Sequence, residues 1–273
     1  MQLPPASPPA RSPTLERLHF RTREGIDVPA VTADTMRAVD RVAMDAFGID
    51  LLQMMENAGR ALSDIALTEL GMRARSAVVL AGAGGNGGGG LSALRHMHNR
   101  GIDVSIVLDR SPSELQGAGR RQLDTLLRSH VEPIYSPRTA KQRIQEADIV
   151  IHALVGYGLE GELRPPTKAL VELANEHARA VLALDVPTGV HATSGTSSTP
   201  SIRPIATVTL ALPKTGLANP DAHPGKLYLT DLGIPRAVFQ VAGLDTAPYP
   251  YTDRGWTVLD APDTRAREGA HRA

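Results

Sequence analysis

The chain has 273 residues, of which 42% are hydrophobic and 21% charged, enough to bury a core in one large domain or two small ones. Its 29 basic and 29 acidic side chains cancel, so charge gives no reason to expect nucleic acid or a membrane surface as partner. The absence of cysteine excludes disulfides, thiolate nucleophiles and cysteine-ligated metal, and no apolar run reaches the roughly 18–20 residues needed to span a bilayer. A cytoplasmic protein is expected.

Residues 1–27 begin rich in proline and serine and read as a disordered tail. Met36, Val39, Val42, Ala46 and Phe47 recur at helical spacing. So do Leu51, Met55, Ala58, Leu62 and Ile65, after Asp50 and Gln53 placed as a capping box. From Ser76 onward, short β-rich runs alternate with helical ones. Strands are predicted at 77–81, 104–108, 148–154, 180–186, 205–212 and 227–232, and helices at 91–100, 115–129 and 167–178. Near-continuous apolar strands separated by helices imply a mostly parallel, doubly wound α/β sheet covered on both faces. One domain is expected over 28–235, followed by a mostly irregular tail, 236–273, in which Trp256 is the single candidate for docking back.

In open α/β sheets ligands sit at the carboxyl ends of the strands, so each loop there is a candidate. Gly82 to Gly90 holds seven glycines in nine residues and reads as a loop whose backbone N–H groups approach phosphate ahead of a helix N-terminus. It also fits G-x-G-x-x-G through Gly82, Gly84 and Gly87, with Asp109 ending the next strand. That keeps an NAD-dependent oxidoreductase open as an alternative. Gly156-Tyr157-Gly158 follows the strand bearing His152, a turn able to meet a ligand through its backbone or simply to reverse the chain. Asp185, after a strongly apolar strand, is costly to bury without a partner or a role, such as acid/base catalysis or a grip on a ribose hydroxyl. Lys214, behind Pro213, is placed to meet a phosphate or a substrate oxygen, or to be solvated.

Taken in order, Met55-Glu56-Asn57-Ala58-Gly59, Ala81 to Leu91, Ala153 to Leu159, Leu184 to Gly189 and Leu212 to Leu217 resemble the YjeF N-terminal family of NAD(P)H-hydrate epimerases, with Asp231-Leu232-Gly233-Ile234-Pro235 closing the match. The resemblance covers roughly residues 30–235. It implies a Rossmann-like three-layer α/β/α fold, a possible homodimer, and interconversion of the R and S hydrates of NADH and NADPH. The remaining length is too short for the dehydratase domain of some members, so a separate NAD(P)H-hydrate dehydratase is the expected functional partner.

Catalysis is expected of Asp185, which matches the family's substrate-binding aspartate, and of Lys214 at its strand end. The resemblance assigns substrate binding to Gly85, Asn86, Gly87, Gly88, Gly89, Gly156, Tyr157, Gly158 and Asp185. A potassium ion is implied at Asn86, His152 and Thr188. Three positions depart from the family pattern: Gly85 and Gly89 replace an amide and a carboxylate, and His152 replaces an acid, offering nitrogen where potassium wants oxygen. A catalytically weakened nucleotide-binding or scaffold module on the same fold is the alternative that these departures favour.

Overall fold

The structure, a computed structural model, describes residues 18–71, 75–244, 249–260 and 262. Among these residues the chain forms one nine-stranded sheet in the order β2-β1-β9-β8-β7-β6-β5-β3-β4. The parallel part comprises β3 (Ser76–Ala81), β4 (Asp103–Leu108), β5 (Ile149–Ala153), β6 (Val181–Leu184), β7 (Ala206–Leu210) and β8 (Lys226–Thr230). β5, β6 and β7 lie within the strands expected there, and β3, β4 and β8 begin one residue before theirs.

Beyond β8 the sheet turns antiparallel. β9 (Trp256–Asp260) inserts between β8 and β1 (His19–Thr22), and β2 (Asp27–Pro29) forms the edge. Residues 19–22 and 256–260 were expected in tails, and the sheet takes in both. Trp256 does dock back, edge-on to the Tyr228 ring at a centroid distance of 5.4 Å. The expected disorder of residues 1–17 lies outside the described residues.

The strands read as continuous apolar runs because both faces are covered. Along β3, Ala77, Val79 and Ala81 pack beneath α2 (Leu51–Glu69), α3 (Gly85–His98) and α4 (Gly117–Arg128). Val78 and Leu80 face α5 (Pro137–Glu146) and α6 (Pro165–His177) on the other side. The predicted capping box opens α2: Asp50 Oδ1 accepts from Leu52 N–H and Gln53 Oε1 from Asp50 N–H. The first helix, α1 (Ala33–Arg41), gives way to a π-helical turn over Val42–Ala46, which bends the expected run through Phe47. Helix α5 has no counterpart in the sequence reading. It buries only Ala140 and Ile144, too few to show a period, although Ser136 before Pro137 was a legible start signal.

The glycine run is the largest local correction. Gly82 to Gly84 form the loop, and Gly85 to Gly90 are already the first turns of α3. Six glycine-rich helical positions are unfavourable by propensity. What offsets them is contact: a Cβ on Gly90 would meet Ala153 Cβ at 2.5 Å, and one on Gly88 would meet Met55 Cε at 2.4 Å. The missing side chains let α3 lie directly on α2 and β5.

Glu56 locks this face. Its carboxylate accepts from Arg95 (2.5 Å), Gln122 (2.9 Å) and Ser92 (3.1 Å), joining α2 to α3 and α4. Burial works against the charge, but these bonds and the Arg95 charge outweigh it and take the carboxyl down to about 2. Glu56 therefore adds stability that is complete above its ordinary value of 4.5 and is lost as pH falls toward 2. Its side chain is 40% exposed, so the screened contribution is about 1 kcal/mol. In acid denaturation, Glu56→Gln should lower Tm at neutral pH and show a shallower loss below the ordinary carboxylate range than the unmodified chain.

Candidate functional site

Strand order reverses between β3 and β5, and the two loops leaving these strands close on each other there. Gly82 N–H donates to Ala153 O at 3.1 Å, and a Cβ on Gly82 would stand 2.2 Å from Leu154 O. A cleft of about 760 Å³ opens above this junction, bounded by α1, the start of α3 and the loops after β5, β6 and β7. The first N–H groups of α3 have no intrahelical acceptor, so its N-terminus presents donors and a partial positive charge to whatever enters beside Gly84, Gly85 and Asn86.

Asp185 follows β6 in the left-handed region, with φ of 69°, a conformation that costs a non-glycine residue energy and persists where surrounding contacts impose it. Its N–H donates to Val208 O at 2.7 Å. Oδ2 accepts from Tyr157 N–H at 2.8 Å, and Oδ1 lies 2.5 Å from Lys214 Nζ. Lys214 also donates to Leu210 O at 2.8 Å, and its side chain is fully buried. It is thus not solvated: it stands beside Asp185 as its counter-charge. Gly156 must be glycine, since a Cβ would stand 2.7 Å from Asp185 Oδ2 and 3.0 Å from Asn86 Oδ1.

Asn86 reaches this junction with both side-chain polar atoms buried and without a partner among the described residues. Such an amide is costly unless something arrives to bond it. The cleft brings together Gly85, Asn86, Gly89, Gly156, Tyr157, Gly158, Asp185 and Lys214. Two expected substrate contacts lie elsewhere. Gly87 and Gly88 do not line the cleft, and a Cβ on them would meet Gly82 O and Met55 Cε.

Three further residues were missed. Asp40 and Arg37 come from α1 and Arg110 from the end of β4. Tyr157 hydroxyl donates to Asp40 Oδ2. Asp40 stands four residues after buried Met36, and an acid on that apolar stripe was the available signal. Asp109 is engaged elsewhere: it accepts from Arg110 Nε at 2.8 Å and from Thr167 Oγ1 at 2.8 Å. This leaves the ribose-gripping acid of the oxidoreductase alternative without support.

The donor set expected for potassium fits poorly. His152 shares a face of β5 with Val150, which belongs with Leu154 just beyond the strand to the apolar layer under α5 and α6. Its ring is buried, neither nitrogen has a partner among the described residues, and burial takes it down to about 3, so it is neutral at physiological pH. Thr188 hydroxyl donates to Val155 O at 2.7 Å and accepts from Val155 N–H at 3.1 Å. That leaves Asn86 Oδ1 and one lone pair of Thr188 as oxygen donors, with no carboxylate, for an ion that prefers several oxygens.

A three-layer α/β/α fold with a cleft at the strand-order reversal, a helix N-terminus on one wall and a buried acid–lysine pair at its floor defines a nucleotide-type site. The comparisons agree. The family model described as YjeF-related protein N-terminus matches residues 51–216, and the chain belongs to that family. It is 43% identical over 238 residues to an NAD(P)H-hydrate epimerase of Dehalogenimonas lykanthroporepellens, covering 86% of this chain and 94% of the relative. A bifunctional NAD(P)H-hydrate repair enzyme Nnr of Hyperthermus butylicus is 34% identical over 226 residues, and the match spans 42% of that longer protein. A crystal structure of yeast ynu0, YNL200c, superposes with a TM-score of 0.73 at 24% identity over 82% of this chain and 98% of that one, a likeness of fold.

Proposed function

We propose that this chain is an NAD(P)H-hydrate epimerase, an isomerase that equilibrates the R and S hydrates of NADH and NADPH for repair of the nicotinamide cofactor. The observation that carries the reading is Asp185, held at positive φ and paired with buried Lys214 beside the N-terminus of α3. In the substrate a hydroxyl sits on the carbon next to the ring nitrogen, and its loss and return exchange the two epimers. Asp185 and Lys214 supply a proton-handling pair at the cleft floor. The α3 N-terminus, with Gly85 and Asn86, suits the phosphate-bearing body of the ligand.

Cytoplasmic location belongs to the same reading, as does a partner dehydratase that consumes one epimer. Among the described residues no helix is long and apolar enough to cross a membrane. The departures at Gly89 and His152 favour one alternative, a binding module that has lost turnover.

The test is epimerisation of a resolved NADPH hydrate, followed by chiral chromatography with and without protein. A rate above the spontaneous one is expected, and no acceleration would leave the binding module. Because the His152 position lacks oxygen, the rates in potassium chloride and choline chloride should agree within about twofold. His152→Asp should reverse this, giving a Tm that rises with potassium but not with choline.

A further inference from the structure

We propose that Tyr157 and Asp40 form a second proton-handling pair in the cleft, serving the face of the reacting carbon opposite the one served by Asp185. The inference rests on the epimerase reading and extends it to the second half of the reaction. Epimerisation inverts a stereocentre: the hydroxyl leaves from one face and returns on the other. A single fixed carboxylate reaches one face of a held substrate. A site that turns the centre over without releasing it needs a second group, placed across the reacting carbon.

Tyr157 supplies that placement. Its backbone N–H donates to Asp185 Oδ2 at 2.8 Å, and its hydroxyl donates to Asp40 Oδ2. The two carboxylates are therefore held at opposite ends of one tyrosine, whose ring lies along the cleft wall with Lys214 Nζ 5.6 Å from its centre. The charged groups around Asp40 are otherwise committed. Lys214 is spent on Asp185, and Arg37 on Asp34 at 2.6 Å and Glu160 at 3.0 Å. Among the described residues Asp40 has no ion pair of its own, and it lines the cleft with its bond from Tyr157 as the tie toward Asp185. Burial, against that hydrogen bond and the Lys214 charge, holds its carboxyl above the ordinary value, while burial and Asp40 together hold the Tyr157 phenol high. A phenol that stays protonated, backed by a carboxylate with raised proton affinity, suits proton relay.

The step balances without a co-reactant. The carbon–oxygen bond breaks as the ring-nitrogen lone pair forms a carbon–nitrogen double bond, and the leaving oxygen takes a proton from the Asp185–Lys214 pair and departs as water. A water then adds from the Tyr157 face, and the double-bond electrons return to nitrogen. The water's proton passes to the Tyr157 oxygen as the Tyr157 proton passes to Asp40. One water leaves and one enters; Asp40 then releases its proton to solvent and the Asp185–Lys214 pair takes one back, so the site is restored for the next turnover. The opposite epimer runs the same path backwards.

The test is steady-state epimerisation of both resolved hydrates by the full chain and by Asp40→Asn, Tyr157→Phe, the double variant and Asp40→Glu, each checked for unchanged thermal denaturation. Each single loss should lower kcat by about 10²-fold with KM within about twofold. The double variant should be no worse than either single one, because the two act as a unit. Asp40→Glu should recover part of the rate. With the epimer whose hydroxyl leaves beside Asp185, the unmodified chain should lose kcat as pH falls through the Asp40 titration, and Asp40→Asn should lack that limb.

Unchanged kcat in Asp40→Asn, or a raised KM with kcat and pH profile intact, would overturn the proposal and leave Asp40 as a mere anchor for Tyr157. Absence of epimerisation by the unmodified chain would fail earlier and differently: it would remove the enzymatic reading itself, and this proposal with it.

Discussion

Asp185→Asn should lower epimerisation by about 10²–10⁴-fold, the range for removal of a positioned acid/base group. It should also cost stability, because it strands Lys214. That ammonium is fully buried and keeps only Leu210 O at 2.8 Å once the carboxylate at 2.5 Å is neutralised. Breaking one partner of a buried pair costs about 3–5 kcal/mol. Lys214→Met should be as damaging, leaving Asp185 charged in a site where its other contact is Tyr157 N–H.

The informative variant combines the two. Asp185→Asn with Lys214→Met leaves no buried charge, so most of the lost stability should return while activity stays absent. Denaturant unfolding and the epimerisation assay on the three proteins separate the roles. If the double variant were active, the pair would be scaffolding and the chemistry would lie elsewhere in the cleft.

Gly87→Ala is expected to be the most damaging glycine-to-alanine change among the described residues. A Cβ there would stand 1.8 Å from Gly82 O, 2.7 Å from its carbonyl carbon and 2.9 Å from its nitrogen. All three are backbone atoms, which have no rotamer to yield. Gly82 cannot retreat either, since its own Cα face lies against Leu154 O. Overpacking in a core that can relax costs about 1–3 kcal/mol, and here relief requires parting β3 from the loop after β5. Loss of cooperative unfolding, or a Tm drop of about 10 °C or more, is expected. Gly84→Ala is the control: a Cβ there meets nothing within 4 Å and should leave Tm nearly unchanged.

Gly87 also marks how far the sequence could be read. Seven glycines after a strand signal that backbone must come close to something, and phosphate was the natural candidate. The structure divides that signal. The N-terminus at Gly84 and Gly85 faces the cleft, whereas Gly87, Gly88 and Gly90 admit neighbouring protein. Both uses need the same missing Cβ, so composition could not tell them apart. His152 shows the reverse case. Its chemistry, nitrogen in place of oxygen, was legible from residue type alone, and the structure added that the ring is neutral and has no hydrogen-bond partner among the described residues.

What the sequence determined by itself was the set of local decisions. Strands β3 to β8 showed in apolar runs, the α2 start in Asp50 and Gln53, and the loops bearing chemistry in their position at strand ends. The order of those loops also carried the family resemblance. Each depends on a few neighbouring residues, and local burial leaves a period in the chain. Only the tertiary structure decided which distant groups meet. It placed β9 beside β8, made the glycine run a helix packed on α2, set Lys214 behind Asp185, and joined Tyr157 to Asp40 across 117 positions. Those contacts follow from strand order and sheet twist, which bring loop ends together without any trace in local spacing.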